Sequence, residues 1–522
     1  MIKKNLFAAL PIAMAVTTSA NDVVWEELNQ KAFEETLIPV ALPFRDNIPF
    51  WNRNAKRFIH PPAFEISPIA GVEKYCFELT DDAGKVLASF EAKHPQEALT
   101  PVWKDLPVQL MVLNVYPLNL DGSRQKSIFT KRFYRSAWFK GPYPVKNHNY
   151  AAAAYRCFKY VYDLKHVQNW EKIDDTIYRK YCYPSKTLPA IIDALFIHAE
   201  KDGTSEVKAN ALRIATKMAD WLIANSQAPG TPLEYLPPTY FKDATYEVCR
   251  RHIGEIMMIY PMDVGNSYLK LYKYTGKQKY LDAAVKIANT MKKLELPGGS
   301  WYLVYKEADG KPTCSNVLVI NESMYEFLTK LSEVTKNKEY IAMRDRAFQI
   351  LIGKNLKEWN WDGQFEDTKP LPQYINLTKD GALFVAAKKL EEGDIETAEK
   401  IIAWAEDQFV VWSNPCPEGR FSDTWILPGA LEQYQCYMPI DASYSRFINI
   451  FSHAYVVTGK RLYLEKAKAL ADCIIRNQRE SGEIPTFFQV SHYMTWLNCM
   501  IYTSQILLEL DGRIQKSLAN KN

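Results

Sequence analysis

One short pattern recurs along the chain and limits the folds that this sequence can adopt. Residues 275–281, 335–341 and 458–464 each begin with a threonine, have a tyrosine five positions later and end on an aliphatic residue. A weaker copy lies at residues 390–395, which gives a period of roughly sixty residues. Glycine follows the threonine in two copies and suits the C-terminal cap of a helix, while the tyrosine anchors the next helix. The pattern therefore predicts a series of helical hairpins.

Apolar residues recur at helical spacing from residue 144 onward, for example at Leu281, Ala284, Val285 and Ala288. The pattern predicts helices near residues 149–165, 188–200, 206–225, 262–275, 278–293, 321–336, 338–355, 379–391, 394–411, 442–458, 460–478 and 491–510. These form six antiparallel pairs, which bury a continuous core if they close into a ring. We therefore predict that residues 144–522 form an (α/α)6 toroid rather than an open solenoid. Its inner helices are expected to begin near Leu188, Met262, Asn321, Lys379, Ala442 and Ser491.

Residues 21–143 carry a different pattern, which is strand-like and rich in turns. Residues 75–79 and 86–90 lie on either side of the turn at residues 81–84, which is typical of a hairpin. We predict a β-sandwich of about one hundred residues here. It resembles the fibronectin type III-like modules that are appended to exported carbohydrate enzymes. The predicted fold class is therefore mainly α, with a small fibronectin III-like β-sandwich before the toroid.

The first twenty residues have the organisation of an export signal. Lys3 and Lys4 precede an apolar stretch at residues 6–16, and small residues follow at 17–20. The apolar stretch is too short for a membrane span, and no later segment reaches the necessary length. We therefore predict a signal peptide at residues 1–20 and an exported protein, periplasmic or extracellular.

Composition narrows the classes of partner. The 64 basic and 60 acidic residues leave a net charge of +4 without a dense basic tract, so the sequence gives no indication of nucleic-acid binding. The nine cysteines are scattered, and neither a zinc motif nor a nucleotide-binding motif is present in the sequence. We predict no cofactor, although a calcium ion bound by dispersed carboxylates and carbonyls stays open.

The combination of features resembles a known group of enzymes. Gly276 begins a Gly-x-x-x-Tyr-Leu repeat, Gly299-Ser300-Trp301 lies in a loop, and a strand-rich segment precedes the helical hairpins. This organisation resembles the exported carbohydrate-active (α/α)-toroid enzymes, over nearly all of the mature chain. Residues 49–55 and 425–437 are most similar to the polysaccharide lyases that remove rhamnose from glucuronate in arabinogalactan. The resemblance implies an enzyme that cleaves a bond to a uronate by β-elimination, with an anionic plant or host glycan as substrate.

Elimination next to a uronate carboxylate requires a group that neutralises the anion, a base and an acid. The densest supply of such groups precedes the predicted inner helix at Met262. We predict that His252 and Tyr260 supply the proton transfers and that Arg251 faces the uronate carboxylate, because imidazole, phenol and guanidinium suit these roles. An alternative stays open, in which Arg250 and Arg251 pair with nearby glutamates on a solvated helix.

Further candidates lie in the long loops that precede inner helices, where sites concentrate on a rigid scaffold. The predicted substrate-binding residues are Arg250, Asn321, Tyr374, Trp425, Gln433, Tyr437, His492 and Trp496. The helical ring rather than the strand-rich segment is therefore expected to contain the active site.

Two other classes of function compete with the lyase. A glycoside hydrolase of a uronate-containing glycan needs two carboxylates, and the candidates are Glu255, Asp263, Glu322, Asp423 and Asp441. A uronate epimerase or a non-catalytic glycan-binding protein is the third possibility, since aromatic loops serve glycan binding as well.

Overall fold

The structure is a computed structural model of the chain. It describes residues 24–40, 51–313, 317–318, 320–361, 377–416, 422–434, 437–490 and 495–519. The predicted signal peptide at residues 1–20 lies outside the described residues.

Helices dominate the described part of the chain. They are α1 (Trp25–Glu35), α2 (Thr100–Trp103), α3 (Tyr150–Asp163), α4 (Lys165–Gln168), α5 (Pro184–Asp202), α6 (Ser205–Ala224), α7 (Glu247–Arg250), α8 (Pro261–Thr275), α9 (Gln278–Leu294), α10 (Glu322–Thr335), α11 (Glu339–Ile350), α12 (Leu356–Glu358), α13 (Asp380–Glu392), α14 (Ile395–Phe409), α15 (Asp441–Thr458), α16 (Arg461–Asn477) and α17 (Leu497–Ala519). The strands are β1 (Arg57–Phe58), β2 (Tyr75–Thr80), β3 (Val86–Ala92), β4 (Leu110–Pro117), β5 (Phe129–Arg135), β6 (Glu255–Met257), β7 (Trp301–Tyr302), β8 (Val304–Lys306), β9 (Val317–Leu318), β10 (Val410–Val411) and β11 (Gly429–Ala430).

The long helices close into a double ring. The inner ring consists of α5, α8, α10, α13, α15 and α17; Tyr325 of α10 packs against Phe384 of α13 at 5.6 Å, and α17 packs against α5 to close the ring. The outer partners, in the same order, are α6, α9, α11, α14, α16 and α3, so the first long helix after the sheet pairs with the last helix of the chain. The predicted (α/α)6 toroid is confirmed. The inner helices begin at Pro184, Pro261, Glu322, Asp380, Asp441 and Leu497, close to their predicted starts.

The repeated threonine ends each inner helix of the repeat. The hydroxyls of Thr275, Thr335 and Thr458 donate to the carbonyl four residues earlier, at 2.7, 2.7 and 2.6 Å. The same oxygens accept the backbone N–H two residues later, at 3.2, 3.3 and 3.2 Å. The residue between takes the left-handed conformation, with φ of 64° at Gly276 and 60° at Lys336. The threonine makes both bonds in all three copies, including the copy in which lysine occupies the left-handed position instead of glycine.

The repeated tyrosine joins neighbouring outer helices. Its hydroxyl donates to a side chain on the preceding outer helix in each copy: Tyr280 to Asp220 at 3.0 Å, Tyr340 to Asn289 at 3.2 Å and Tyr463 to Glu399 at 3.2 Å. The threonine of the repeat therefore forms the hairpin turn, and the tyrosine joins consecutive hairpins.

The N-terminal strands form one five-stranded sheet in the order β1-β5-β4-β2-β3, with β1 parallel to β5 and the other pairs antiparallel. The predicted fibronectin III-like sandwich is not shown, because the described residues contain no second sheet facing this one. Aromatic side chains from other segments cover the sheet instead. Phe133 on β5 packs against Phe64 and Trp103 at centroid distances of 6.1 and 6.4 Å. The indole N–H of Trp103 donates to the carbonyl of Ile59 at 3.0 Å.

The sheet and the ring share one hydrophobic core. Trp51 packs edge-on against Trp404 of α14, with ring centroids 5.9 Å apart. The buried Asp407 carboxylate, also on α14, accepts hydrogen bonds from the backbone N–H groups of Ile59 and His60. The boundary near residue 143 therefore separates two patterns of secondary structure that are packed together. None of the helices within the described ranges is both long and apolar enough to cross a membrane.

Candidate active site

The N-termini of the inner helices lie on one face of the ring, together with the described residues that directly precede them. Pro184 and Pro261 open α5 and α8, where the fixed φ of proline suits the first helical turn. The segments before these prolines therefore end on this face, beside residues 495–496 before α17.

Two lysines and three aromatic rings form a group here that we call the lysine–aromatic cluster: Lys180, Lys186, Tyr183, Tyr260 and Trp496. The Lys180 ammonium lies 3.7 Å from the centroid of the Trp496 ring and 5.2 Å from that of Tyr183. The Lys186 ammonium lies 5.2 Å from Trp496, 5.9 Å from Tyr183 and 5.8 Å from Tyr260. Tyr260 and Trp496, two predicted site residues, are thus brought together by a lysine.

The cluster is largely buried, since Lys180, Tyr183 and Tyr260 are 7%, 4% and 7% exposed. A desolvated ammonium over an aromatic face gains about 0.5–2 kcal/mol, which holds the lysines in position. Aromatic rings can pack against the apolar face of a sugar, and ammonium groups attract its acidic substituents. The cluster therefore has the chemistry of a binding site for an anionic sugar.

His252 is joined to this cluster through two tyrosines. Its ring stacks on Tyr240 at 5.3 Å with an interplanar angle of 21°, and Tyr240 packs against Tyr183 at 5.6 Å. Nδ1 of His252 lies 2.9 Å from a carboxylate oxygen of Glu255. An ionised carboxylate only accepts hydrogen bonds, so Nδ1 carries the proton and Nε2 is the nitrogen left to exchange one.

The two predicted arginines do not join the cluster. Arg250 and Arg251 lie at the end of α7 with side chains 59% and 68% exposed, and each pairs with Glu247 at 3.5 Å. This is the solvated arrangement that the sequence left open for them. The positive charges among the aromatic rings come from Lys180 and Lys186 instead.

A second polar group lines the ring beside the lysine–aromatic cluster, and we call it the lumenal acid cluster: Asp263, Glu322, Ser323, Arg446 and Tyr502. Asp263 follows Tyr260 by one turn of α8, so both project from the same face of that helix. Its carboxylate accepts a hydrogen bond from the Ser323 hydroxyl of α10. Burial outweighs this bond and raises the pKa of Asp263 to about 7. The carboxyl group can therefore donate or accept a proton near neutral pH.

Arg446 joins helices from different parts of the ring. Its guanidinium donates to Glu322 of α10 at 2.6 Å and to the Tyr502 hydroxyl of α17 at 2.7 Å. Burial alone would lower the pKa of Arg446, but the neighbouring carboxylates of Asp380 and Glu322 raise it. Burial raises the pKa of Tyr502 above its usual range, so the phenol keeps its proton. The cluster thus offers one paired carboxylate, one neutral phenol and one carboxyl group that titrates near pH 7.

Four other predicted binding residues have structural contacts. The side chain of Asn321 caps α10 by accepting the Met324 N–H at 2.8 Å. Trp425 and Gln433 are buried, at 8% and 3% exposure. The buried Tyr437 donates its hydroxyl to the carbonyl of Gln408 at 3.1 Å, near the sheet rather than near the lysine–aromatic cluster. Tyr374 and His492 lie outside the described residues.

The carboxylates considered for hydrolysis lie in different surroundings, and only two of them remain candidates. Asp441 is fully buried and accepts the Ala442 N–H at 2.8 Å, and burial raises its pKa well above the ordinary range. Asp423 is exposed, and Glu255 is bound to His252. Asp263 and Glu322 remain as the pair at the inner-helix N-termini. Within the described ranges, no three His, Cys, Asp or Glu side chains gather as the ligand set of a metal ion.

Several residues of the site were missed by sequence reasoning. These are Lys180, Lys186, Tyr183, Ser323, Arg446 and Tyr502. A signal for the first three exists in Pro184, because proline at the first position of a helix fixes the helix start. An inner helix that begins at residue 184 puts Lys180 just before its N-terminus and Lys186 in its first turn. Arg446 and Tyr502 lie inside helices and have no comparable signal.

The double ring of helices, with both residue clusters at the N-termini of the inner helices, defines an (α/α)6-toroid protein. No protein-family model matches the sequence, and no curated protein matches it significantly. Among solved structures, the crystal structure of D-mannose isomerase is similar, with a TM-score of 0.50, 11% identity and coverage of 70% of this chain and 100% of that chain.

Two further structures are similar at lower scores. A family 76 glycoside hydrolase from a bovine Bacteroides thetaiotaomicron strain has a TM-score of 0.45 and 11% identity, over 84% of this chain and 93% of its own. A polysaccharide lyase has a TM-score of 0.41 and 11% identity, over 88% of this chain and 64% of its own. At such identities the likeness concerns the fold alone, and the function has to be argued from the site.

Proposed function

We propose that the protein is a glycan-cleaving enzyme that acts on a uronate-containing glycan by β-elimination. The observation that carries the proposal is the unbroken series of contacts from His252 through Tyr240 and Tyr183 to Lys186 and Tyr260. It supplies a base, a phenol and positive charge, which are the groups that elimination requires. The bond between rhamnose and glucuronate in arabinogalactan is the first substrate to test.

The reaction follows from the acidity of the proton next to the uronate carboxylate. Neutralising the carboxylate stabilises the negative charge that develops when this proton leaves. His252 Nε2, as the unprotonated nitrogen of a neutral imidazole, accepts the proton, and the electron pair of the C–H bond forms a carbon–carbon double bond. The bond to the leaving oxygen breaks, and the Tyr260 hydroxyl gives a proton to that oxygen. No water enters the products, which are one fragment with a new reducing end and one fragment that ends in an unsaturated uronate; for the rhamnose–glucuronate bond these are free rhamnose and a glycan that ends in unsaturated glucuronate.

The enzyme is proposed to act outside the cytoplasm. The basic and apolar organisation of residues 1–20 supports export, after which the glycan would be met in the periplasm or beyond. An anionic glycan is too polar to cross a membrane unaided, so an exported enzyme suits such a substrate.

Hydrolysis is the second candidate, and Asp263 favours it. A carboxyl group with a pKa of about 7 retains a proton near neutral pH far more than an ordinary aspartate and can serve as a general acid. Glu322 would then be the second carboxylate, with Arg446 holding it at 2.6 Å. This reaction consumes one water for each bond that is cleaved, which distinguishes it from elimination.

The proposal is tested by incubating the purified protein with a panel of neutral and uronate-containing glycans and following the products by mass. Fragments are expected only from glycans that contain a uronate, with glucuronate-bearing arabinogalactan among them. Cleavage of neutral glycans alone, or of none in the panel, would contradict the proposal.

A further inference from the structure

We propose that Lys180 and Lys186 are the residues that recognise the carboxylate of the uronate, as a pair of ammonium groups acting on one anion. The proposal rests on the proposed function, since it names the part of the site that selects the substrate. It assigns to two lysines the contact with the uronate carboxylate that was predicted for Arg251.

The first argument is the convergence of the two side chains. Both ammonium groups lie within 6 Å of the centroids of the same two rings, Trp496 and Tyr183. They come from different elements, because Lys180 belongs to the short helical segment Arg179–Cys182 and Lys186 to the first turn of α5. An anion that approaches these rings is therefore attracted by both charges at once.

The second argument is burial. Lys180 is 7% exposed, so the attraction between its ammonium and an anion is screened less than at the surface. The contacts with the rings restrict the lysines before a ligand arrives, which reduces the entropy that binding costs. Arg250 and Arg251, with side chains 59% and 68% exposed, have neither advantage.

The third argument is the position of the lysines relative to the groups that move protons. The Lys186 ammonium lies 5.8 Å from the Tyr260 ring, and Asp263 follows Tyr260 by one helical turn. In a uronate, the carbon that carries the carboxylate also carries the acidic proton. A carboxylate held by Lys186 would therefore bring the reacting part of the sugar towards the hydroxyl of Tyr260.

The test measures the binding of three small ligands to the full chain by calorimetry: methyl glucuronide, methyl glucoside and glucose 6-sulfate. Lys180→Met and Lys186→Met are each expected to weaken methyl glucuronide binding about tenfold or more, because each removes one of two charges. Methyl glucoside, which has no charge, should bind equally to all variants. Lys186→Arg keeps the charge and is expected to retain most of the affinity.

Lys201→Met is the matched control. Lys201 is on the same helix, α5, and its ammonium also lies over an aromatic ring, 4.6 Å from the centroid of Tyr155, but at the opposite end of the helix. This variant is expected to bind methyl glucuronide like the parent protein. Thermal unfolding of each variant separates loss of binding from loss of folding, and Lys186, which is less buried than Lys180, provides a second site if Lys180→Met does not fold.

Unchanged affinity for methyl glucuronide in both folded methionine variants would overturn the inference, whichever glycan the enzyme cleaves. Tighter binding of glucose 6-sulfate than of methyl glucuronide would overturn it as well, since the anion would then be a sulfate ester. If the lysine variants lose methyl glucuronide but the parent protein cleaves no uronate glycan, the inference stands and the proposed function fails.

Discussion

Asp263 is a residue of the candidate site whose protonation is controlled by burial in the fold. Burial raises its pKa from 3.8 to about 7, so between these values the folded protein binds a proton that the unfolded chain has released. Asp263 therefore makes the folded state progressively less stable as the pH rises from about 4 to 7.

Asp263→Asn should remove this dependence, because the amide oxygen still accepts from Ser323 and cannot ionise. We compare the free energy of unfolding of the variant with that of the parent at each pH. The difference, variant minus parent, is expected to be about 1–3 kcal/mol larger at pH 8 than at pH 5. Urea unfolding at both pH values measures the difference, with Asp105→Asn at an exposed position as the control. An equal difference at the two pH values would show that Asp263 is not protonated in the folded protein at pH 5.

His252→Ala should lower the rate of glycan cleavage about a hundredfold or more, because it removes a proton-transfer group. Arg251→Ala is the matched control on the neighbouring exposed turn and should change the rate less than about threefold, since an exposed ion pair contributes little. Initial rates at saturating substrate measure both effects. Full activity in His252→Ala would show that this residue takes no part in the mechanism. A large loss of activity in Arg251→Ala would support the predicted contact between Arg251 and the carboxylate of the uronate.

The residue types of the site could be predicted from the sequence better than the directions of their side chains. Tyr260 and Trp496 are predicted from their positions at inner-helix starts, and both lie in the lysine–aromatic cluster. Arg251 is predicted from the same kind of position, but the last turn of α7 directs it to solvent. A sequence gives the neighbours of a residue along the chain, whereas Lys180 and Trp496 meet across more than three hundred residues.

At the scale of helices, the ring depends on close contacts between neighbouring inner helices. Gly265 of α8 faces Phe327 of α10, and a methyl group on this glycine would overlap the Phe327 ring. Gly265→Ala should therefore destabilise the fold by about 1–3 kcal/mol through overpacking. The midpoint of urea unfolding reports the change.

Gly381→Ala is the control for helix propensity. It lies in α13, and a Cβ there has no heavy atom within 4 Å. It should leave stability unchanged or raise it by up to about 1 kcal/mol, because alanine favours helix over glycine. A stabilised Gly265→Ala would contradict the close approach of α8 and α10.

The helices were the most predictable elements, because their repeat combines a turn signal with a contact between hairpins. The threonine of each copy closes the turn by local hydrogen bonds, which any sequence with that spacing can make. The strands were less predictable. Their alternation identified the hairpin of β2 and β3, but whether a second sheet or aromatic side chains cover the sheet depends on contacts such as that of Trp103 with Phe133.

At the scale of the whole molecule, the sheet and the ring should unfold as one unit. Asp407 accepts two backbone N–H groups from the strand-rich segment while it belongs to an outer helix. Asp407→Ala should destabilise the protein by about 2–4 kcal/mol, because it leaves buried donors without an acceptor. Asp81→Ala is the control, since Asp81 also accepts two backbone N–H groups, at 3.0 and 2.9 Å, but in an exposed turn where water can replace it.

We expect Asp407→Ala to unfold in a single transition. Tryptophan fluorescence and far-ultraviolet circular dichroism should both report it at the same midpoint. Two separate transitions in the parent protein would contradict the shared core. The shared core also predicts how a truncated chain that begins near Pro142 would behave. Although the two clusters of the site lie after residue 178, removing the sheet would expose Trp404 and Asp407, so this fragment should not fold alone.

The most direct test of elimination is the fate of water in the reaction. Arabinogalactan that carries glucuronate is incubated with the protein in water enriched in oxygen-18, and the products are followed by mass and by ultraviolet absorbance. Elimination predicts an absorbing unsaturated uronate, and no oxygen-18 in either product at times short enough that the anomeric oxygen of the released sugar has not exchanged with water. A saturated product that carries one oxygen-18 atom for each bond cleaved would contradict elimination and assign the reaction to hydrolysis by Asp263 and Glu322.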